Sequence, residues 1–282
     1  MNILYCGDKN IECGVLYSVL SLLKNTKSPL HIYILTAGLD AGDVRLEAMP
    51  PEVAEGFDWL VKSVSEAHFV KLLDATKFFQ AEVPSANLRT HFTPGCMLRL
   101  YADCFPELPD KVLYLDYDVV CRRDCQELFD QDISDCEFAG VLDHYGRWFF
   151  RKRLFRADYV NSGVLLMNLA KMRQTGLLSR CRRRCMEKRM FLPDQSALNA
   201  LAEEKKLLPR RYNDQRRLHE DTILQHFTTT FRFFPWPRKV SVKPWQIENM
   251  HRVLRIHEYD GLYEEYLAVF KRLRGDQREA YL

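Results

Sequence analysis

NILYCGDKNIECGVLYSVLSLLKNTKSPLHIYIL, residues 2–35, decides the fold class. Residues 2–6 read as a short apolar strand and 7–10 as a polar turn. From 11 to 24, Val15, Val19, Leu20, Leu22 and Leu23 recur at helical spacing, and HIYIL at 31–35 is a second strand. Strand, turn, helix, strand is the start of an open α/β sheet, mostly parallel and flanked by helices. Ligands of such sheets bind beyond the carboxyl ends of the strands. Asp8 and Asn10 stand at that end of strand one. Asp8 can accept from a nucleobase or ribose hydroxyl, and both residues are equally good turn formers.

Further along, KVLYLDYDVV (111–120) is a strand-forming apolar run that carries Asp116 and Asp118. A buried parallel strand has no use for two anions unless they lie at its end, facing something positive. Side chains two apart on an extended chain point the same way, so both carboxylates can meet one divalent cation. Such a hard, oxygen-rich site suits Mg²⁺ or Mn²⁺ shared with substrate phosphates. The plainer reading is a strand end running into a turn, where aspartate is common.

The remaining pattern predicts a helix over 39–49, a strand over 59–64 and a helix over 97–104 carrying Arg99. Arg99 suits bidentate contact with a carboxylate or phosphoryl group, or a surface ion pair. Residues 75–93 show no clear pattern. A short helix at 125–129 precedes the strand FAGVL (138–142), which ends in Asp143, a third acidic residue at a strand end. GRWFFRKRLFR (146–156) mixes aromatics with cations, as in a loop over an anionic ligand or a surface that meets lipid head groups. Asn161, Ser162 and Gly163 stand just before an apolar strand; Asn161 both donates and accepts, as sugar hydroxyls require. One basic helix is expected over 171–190, then a helix over 193–201 with Asp194 or Ser196 near its cap. ILQHF (223–227) is read as the last short strand, carrying His226, and 262–273 as a final helix. Imidazole with two carboxylates makes a plausible partial metal shell.

The 282 residues, 47% hydrophobic, suffice for a full core, and the net charge of +3 excludes a generally basic nucleic-acid binder. Basic clusters at 147–156 and 180–189, with Arg210, Arg211, Arg216 and Arg217, imply anionic partners at some surface. Nine scattered cysteines lack CxxC spacing and a histidine cluster; Cys121/Cys125 and Cys181/Cys185, four apart, can share helix faces. Free thiols in a reducing cytoplasm follow, and neither a leader nor a membrane-spanning run is visible. Without a P-loop, GxGxxG, nucleophile elbow or HExxH, the residues favour transfer chemistry on a phosphorylated or nucleotide-activated substrate.

These motifs, in this order from residue 1 to about 245, resemble the retaining glycosyltransferases of family 8, which include bacterial lipopolysaccharide galactosyl- and glucosyltransferases and glycogenin. The resemblance implies a GT-A type Rossmann-like fold over 1–245, with a smaller helical or irregular extension over 246–282. CGDKN would supply Cys6, Asp8 and Asn10 to the nucleotide, and MLRLYAD would place Arg99 at the donor. In LDYD, Asp116 and Asp118 take the family's metal positions, with Tyr117 beside the donor. Asp143 of VLDHYG and Asn161 of YVNSGVLLMNL fall on donor-sugar positions, and Asp194 and Gln195 of PDQSALN on the reacting centre. His226 would complete the metal shell and Lys243 of KPW would meet the diphosphate. The sequence departs from the family pattern in the long glycine-free insert between His226 and KPW, so that Lys239 is expected to share the diphosphate, and in TPGCM before Arg99.

The implied activity is metal-dependent transfer of galactose or glucose from a UDP-sugar to a glycan or glycolipid acceptor such as lipopolysaccharide, with Mn²⁺ or Mg²⁺ as cofactor. It is expected in the cytoplasm, with peripheral contact at the inner membrane and no nucleic-acid partner. The rivals are a sugar-phosphate nucleotidyltransferase, which wants a Gly-rich loop where CGDKNIECG stands, and a non-catalytic nucleotide-sugar-binding protein.

Overall fold

The computed structural model describes residues 1–90, 94–144, 158–215, 217–232, 236 and 238–275. The run 146–156 lies outside them. The opening segment folds as read: β1 (Asn2–Cys6), α1 (Glu12–Asn25) and β2 (His31–Thr36) form a parallel unit in which Asn2 pairs with His31 and Cys6 with Leu35. The next two expectations fail. Residues 39–49 hold a hairpin, β3 (Leu39–Ala41) and β4 (Val44–Leu46), rather than a helix. Gly42 takes φ +70°, the left-handed conformation that a two-residue turn requires. Leu39 and Leu46, seven apart and so in helical register, are instead cross-strand partners. Residues 59–64 are not a strand but the end of α2 (Pro51–Val64), whose buried stripe is Ala54, Phe57, Leu60 and Val61.

β5 (Phe69–Asp74), α3 (Thr76–Ala81) and a 3₁₀ helix (Pro94–Cys104) follow. Next come β6 (Lys111–Leu115), β7 (Val119–Cys121), α4 (Gln126–Phe129), β8 (Phe138–Leu142) and β9 (Val160–Asn168). Asn161, Ser162 and Gly163 therefore lie inside a strand, not ahead of it. Cys121 ends β7 and Cys125 precedes α4, so these two share no helix face, and all nine cysteines are free thiols. The single basic helix expected over 171–190 is two, α5 (Leu169–Thr175) and α6 (Leu177–Glu187), broken where Gly176 takes φ +65°. α7 (Pro193–Leu201) starts on its proline, and neither Asp194 nor Ser196 caps it. β10 (Lys205–Leu208) was not read from the sequence. β11 (Leu224–His226) is not the last strand, since the hairpin of β12 (Thr230–Arg232) and β13 (Arg238–Val240) follows it before α8 (Asp260–Arg274).

Seven strands form the main sheet in the order β10–β8–β9–β6–β1–β2–β5. Neighbours are parallel except at β9, which runs against both β6 and β8. This reversal positions the site. β9 begins where its neighbours end, with Val164 opposite Leu115 and Val160 opposite Leu142. Its first residues thus stand beside the aspartates that follow β6 and β8.

Alternation along the strands fills a core on each face of the sheet. Ile3, Tyr5, Ile32, Ile34, Leu113 and Leu115 join α1, α2 and α8 on one side. Leu4, Tyr33, Leu35, Val112 and Tyr114 join the 3₁₀ helix, α6 and α7 on the other. α8 seats Tyr266 on Tyr17 of α1 at 5.5 Å between ring centroids, and Arg274 pairs with Glu12. Among the described residues, no helix is long and apolar enough to cross a membrane. The basic clusters are partly neutralised within the chain: Arg180 faces Glu137 and Glu203, Arg182 faces Glu82 and Asp103, and Arg210 faces Asp214 and Asp221.

Candidate active site

Strand β6 stops at Leu115, and Asp116 to Asp118 form a tight turn closed by the Val119 amide donating to the Asp116 carbonyl at 3.0 Å. The two carboxylates converge through this turn, not by alternation on an extended strand. The turn is pinned from the side by the Asp116 amide, which donates to the Gly163 carbonyl of β9 at 2.8 Å. β11 pairs antiparallel with β7, placing His226 opposite Val119, and its imidazole enters between the aspartates. His226 Nε2 lies 3.2 Å from Asp118 Oδ1 and 3.5 Å from Asp116 Oδ2. One ligand atom from each of Asp116, Asp118 and His226 falls within 4.8 Å of the others.

The absence of a side chain at Gly163 makes this possible. A Cβ there would stand 1.9 Å from His226 Cε1 and 2.8 Å from Asp116 Oδ2. Behind the ring, His226 Nδ1 meets Asn213 Oδ1 at 3.3 Å. Two carboxylates, one backed imidazole and a cleared backbone fit a hard divalent cation of the Mn²⁺ or Mg²⁺ kind. Burial alone would push the His226 imidazole down, but Asp118 and Asp116 outweigh it and hold it at about 9. Burial likewise works against both carboxylates, yet Arg99 and His226 hold Asp116 low, and Lys243 and His226 hold Asp118 low. A second group, His251, His257 and Asp260, also comes within 4.8 Å; His257 is exposed and the other two are half-buried, and Asp260 pairs with His251 at 2.6 Å and with His257 at 3.7 Å.

Arg99 is no surface ion pair: its side chain is 3% exposed. It donates from Nη2 to Asp116 Oδ1 at 2.8 Å and stands 3.2 Å from Asp194 Oδ2 through Nε, with the Tyr114 ring under its plane at 4.1 Å. Nε also reaches the Cys96 carbonyl, and Nη1 the Ser162 carbonyl. Tyr114, near the end of β6 and two residues before Asp116, donates its hydroxyl to Asp116 Oδ1 at 2.6 Å. Burial pushes the Asp194 carboxyl up despite Arg99.

Gln195, beside Asp194 on α7, faces β9. Its Oε1 accepts from the Ser162 amide at 2.9 Å and its Nε2 donates to Asp143 Oδ2 at 3.1 Å. Asn161 Nδ2 donates to the same Asp143 oxygen at 2.9 Å. The four residues expected at the sugar thus lie in one buried network joined to Arg99. At the carboxyl end of β1, both Asp8 oxygens are taken by Asn10, from its backbone at 3.2 Å and its amide at 2.8 Å, so the turn-forming reading of this pair is realised. Cys6 is buried at the end of β1. Lys243 pairs with Asp118 and lies 5.8 Å over the Tyr117 ring, which tilts against Trp245. Tyr117 is pushed up to about 12, chiefly by burial. Lys239 lies on β13, but its side chain is outside the described residues.

A family model described as glycosyl transferase family 8 matches residues 2–247. The chain belongs to this family. It is a glycosyltransferase, of the hexosyltransferase class. Over 312 aligned residues it is 25% identical to a lipopolysaccharide 1,2-glucosyltransferase of Escherichia coli, covering 97% of this chain and 88% of that one. It is 27% identical to the lipopolysaccharide glucosyltransferase WaaO of Escherichia coli K12, covering 86% and 75%. Its fold is similar to the crystal structure of an active-site mutant of LgtC, with a TM-score of 0.70, 18% identity and 96% coverage of both chains. The family 8 glycosyltransferase therefore has the GT-A-like open α/β fold, with its mixed sheet flanked by helices.

The sequence reading had Gly163 permitting close backbone approach, and the structure shows what approaches it, His226 and Asp116; it missed the roles of Tyr114, Ser162 and Asn213. Tyr114 was legible in principle, since a hydroxyl-bearing ring two residues before Asp116 lies within reach of its carboxylate. Asn213 was not, since its partners lie 13 and 52 residues away.

Proposed function

We propose that this glycosyltransferase moves galactose or glucose from a UDP-sugar to a hydroxyl of a glycan acceptor, a lipopolysaccharide or another cell-surface glycan, with retention at the anomeric carbon and dependence on Mn²⁺ or Mg²⁺. The observation that carries the reading is the meeting of Asp116, Asp118 and His226 within 4.8 Å, beyond the carboxyl ends of the sheet. The names of the relatives support the acceptor class. Residues 1–245 form the transferase domain and 246–282 an extension, of which α8 is braced against α1.

In this reading the cation held by Asp116, Asp118 and His226 supplies positive charge for the diphosphate. Lys243 turns its ammonium from Asp118 toward the same oxygens. Cys6, Asp8, Asn10 and Tyr117 border the uridine, while Asp143 and Asn161 orient sugar hydroxyls. Arg99 and Asp194 act from behind, locking Asp116 and α7 in place. The bond from the anomeric carbon to the phosphate oxygen breaks as the acceptor oxygen attacks from the same face. The acceptor's proton passes to the departing phosphate oxygen. Gln195, whose Oε1 accepts from the Ser162 amide and hydroxyl and lies 3.4 Å from Asn161 Nδ2, stabilises the cationic sugar through that carbonyl.

UDP release is measured from a panel of UDP-sugars with Mn²⁺, water being the acceptor, and again with EDTA. Slow hydrolysis of one donor that EDTA abolishes is expected. A silent panel, together with calorimetry showing no metal-assisted UDP binding, overturns the reading.

Metal binding needs a neutral imidazole, and His226 in the metal-free protein is held at about 9, against 6.5 for an ordinary histidine. Apparent Mn²⁺ affinity should climb about tenfold per pH unit from neutrality and level off above the His226 pKa. Over the same window the metal-free protein should lose stability, because a raised histidine stabilises fully below its unfolded pKa and ceases to as pH passes its folded one. Mn²⁺ titrations across that range test this; a flat affinity profile removes His226 from the ligand set.

A further inference from the structure

We infer that Asn213 is a positioning residue, which fixes the tautomer of His226 and ties the metal-binding cluster to the sugar-side network. This inference rests on the metal reading above. Asn213 lies between β10 and β11 and is 1% exposed. Its Oδ1 faces His226 Nδ1 at 3.3 Å, and its Nδ2 faces Asn161 Oδ1 at 2.9 Å.

The direction of every bond in this chain follows from its fixed ends. The Gly163 backbone amide can only donate, and it meets Asn161 Oδ1 at 3.0 Å. The Asp143 carboxylate accepts, and it meets Asn161 Nδ2 at 2.9 Å. Two independent anchors therefore turn the Asn161 carbonyl toward Asn213. Asn213 must answer with its amine, which leaves its own carbonyl for the histidine. His226 Nδ1 must then carry a hydrogen, and Nε2 is the nitrogen presented to Asp116 and Asp118. The same Asn161 Nδ2 lies 3.4 Å from Gln195 Oε1, so the chain of bonds ends at the reacting centre.

The loop holding Asn213 is built to stay still. The next residue, Asp214, is buried and accepts from Thr222 Oγ1 at 2.6 Å, besides pairing with His219 and Arg210. The Asp214 amide donates to the Leu224 carbonyl at 2.9 Å, and the His226 amide returns to the Asp214 carbonyl at 3.0 Å. The loop and the strand that bears His226 thus move as one piece.

The test compares Asn213→Ala with Asn213→Asp. The first removes both bonds; the second keeps an acceptor for His226 but sets a carboxylate oxygen against Asn161 Oδ1. Mn²⁺ affinity is read directly from the paramagnetic resonance of free Mn²⁺ in the presence of UDP, without turnover. The alanine protein should bind Mn²⁺ about 10–100-fold more weakly, while the aspartate protein stays within about threefold of wild type. The aspartate protein should instead lose kcat at saturating metal and donor, because Asn161 and Gln195 are released. Wild-type affinity in the alanine protein, or equal losses in both variants, overturns the positioning role. Should the alanine protein not fold, Asn213→Leu, similar in volume and without either bond, takes its place under the same criteria. A wild-type protein that binds no Mn²⁺ overturns the metal reading itself, an outcome distinct from the others.

Discussion

Gly163→Ala is expected to lower turnover by about 100-fold or more, since a displacement near 1 Å at a reacting centre costs that much. The added Cβ would overlap His226 Cε1 at 1.9 Å and His226 Nδ1 at 2.5 Å. Neither neighbour is the far end of a flexible chain. The imidazole is held by Asn213 and by its own strand, and Asp116 Oδ2, 2.8 Å from the Cβ, is on a carboxylate gripped by Arg99 and Tyr114. Relief requires β9 to retreat or His226 to swing away, and either one opens the ligand cluster. The fold should survive with a loss of about 1–3 kcal/mol, as for other overpacked interiors. Metal affinity, turnover and thermal midpoint measured together separate the two effects. An alanine protein with wild-type Mn²⁺ affinity would mean that the ring does not occupy this position in solution.

The largest stability loss is expected from Arg99→Met, at about 3–5 kcal/mol, because it strips the partner from buried carboxylates and leaves the charge behind. For a chain of this size that corresponds to a midpoint lower by roughly 10 °C. Asp194 is the main casualty. Burial already raises its pKa with Arg99 present, and without the guanidinium it rises further. An acid raised in the folded state binds a proton that the unfolded chain does not, so stability increases as pH falls through the folded value. The deficit of the Met protein should therefore shrink on acidification from neutral pH toward about 5. Wild type should hold the contribution of Asp116 and Asp118 across that range and lose it only below about pH 5, because depressed pKa values give stability that is present above the unfolded pKa and removed by acid. Thermal midpoints of both proteins against pH decide the matter; parallel curves would show that Arg99 contributes packing and not charge.

The site was legible because polarity is conspicuous in apolar strands. Asp116, Asp118, Asp143, Asn161 and His226 each interrupt or end a run of hydrophobic residues, and the fold brings all five together. The sheet was legible in its first unit, where strand and helix periods alternate cleanly. It was not legible between residues 39 and 64. There Leu39 and Leu46 sit seven apart both in a helix and across the hairpin, and six residues at the end of α2 are too few to reveal their period. Short segments such as β10 to β13 take their form from neighbours distant in sequence, as β10 does from β8. The convergence of the two aspartates through a turn, with Arg99 buried between Asp116 and Asp194, depends on β9 lying against β6, and no local pattern announces that.

The reversed strand β9 has a consequence for how enzymes of this build can diverge. A chain leaving β8 at Asp143 and returning into β9 at Val160 departs from and comes back to the same rim of the sheet. It has no face to cross, unlike the connection between parallel strands. Residues can be added to or deleted from this stretch without altering the register of any strand, yet both its ends adjoin the buried network of Asp143, Asn161 and Gln195. Length variation at this rim spares the frame of the sheet, so insertions at a single place can change what surrounds the Asp143 and Asn161 network while the strands beneath it are inherited intact.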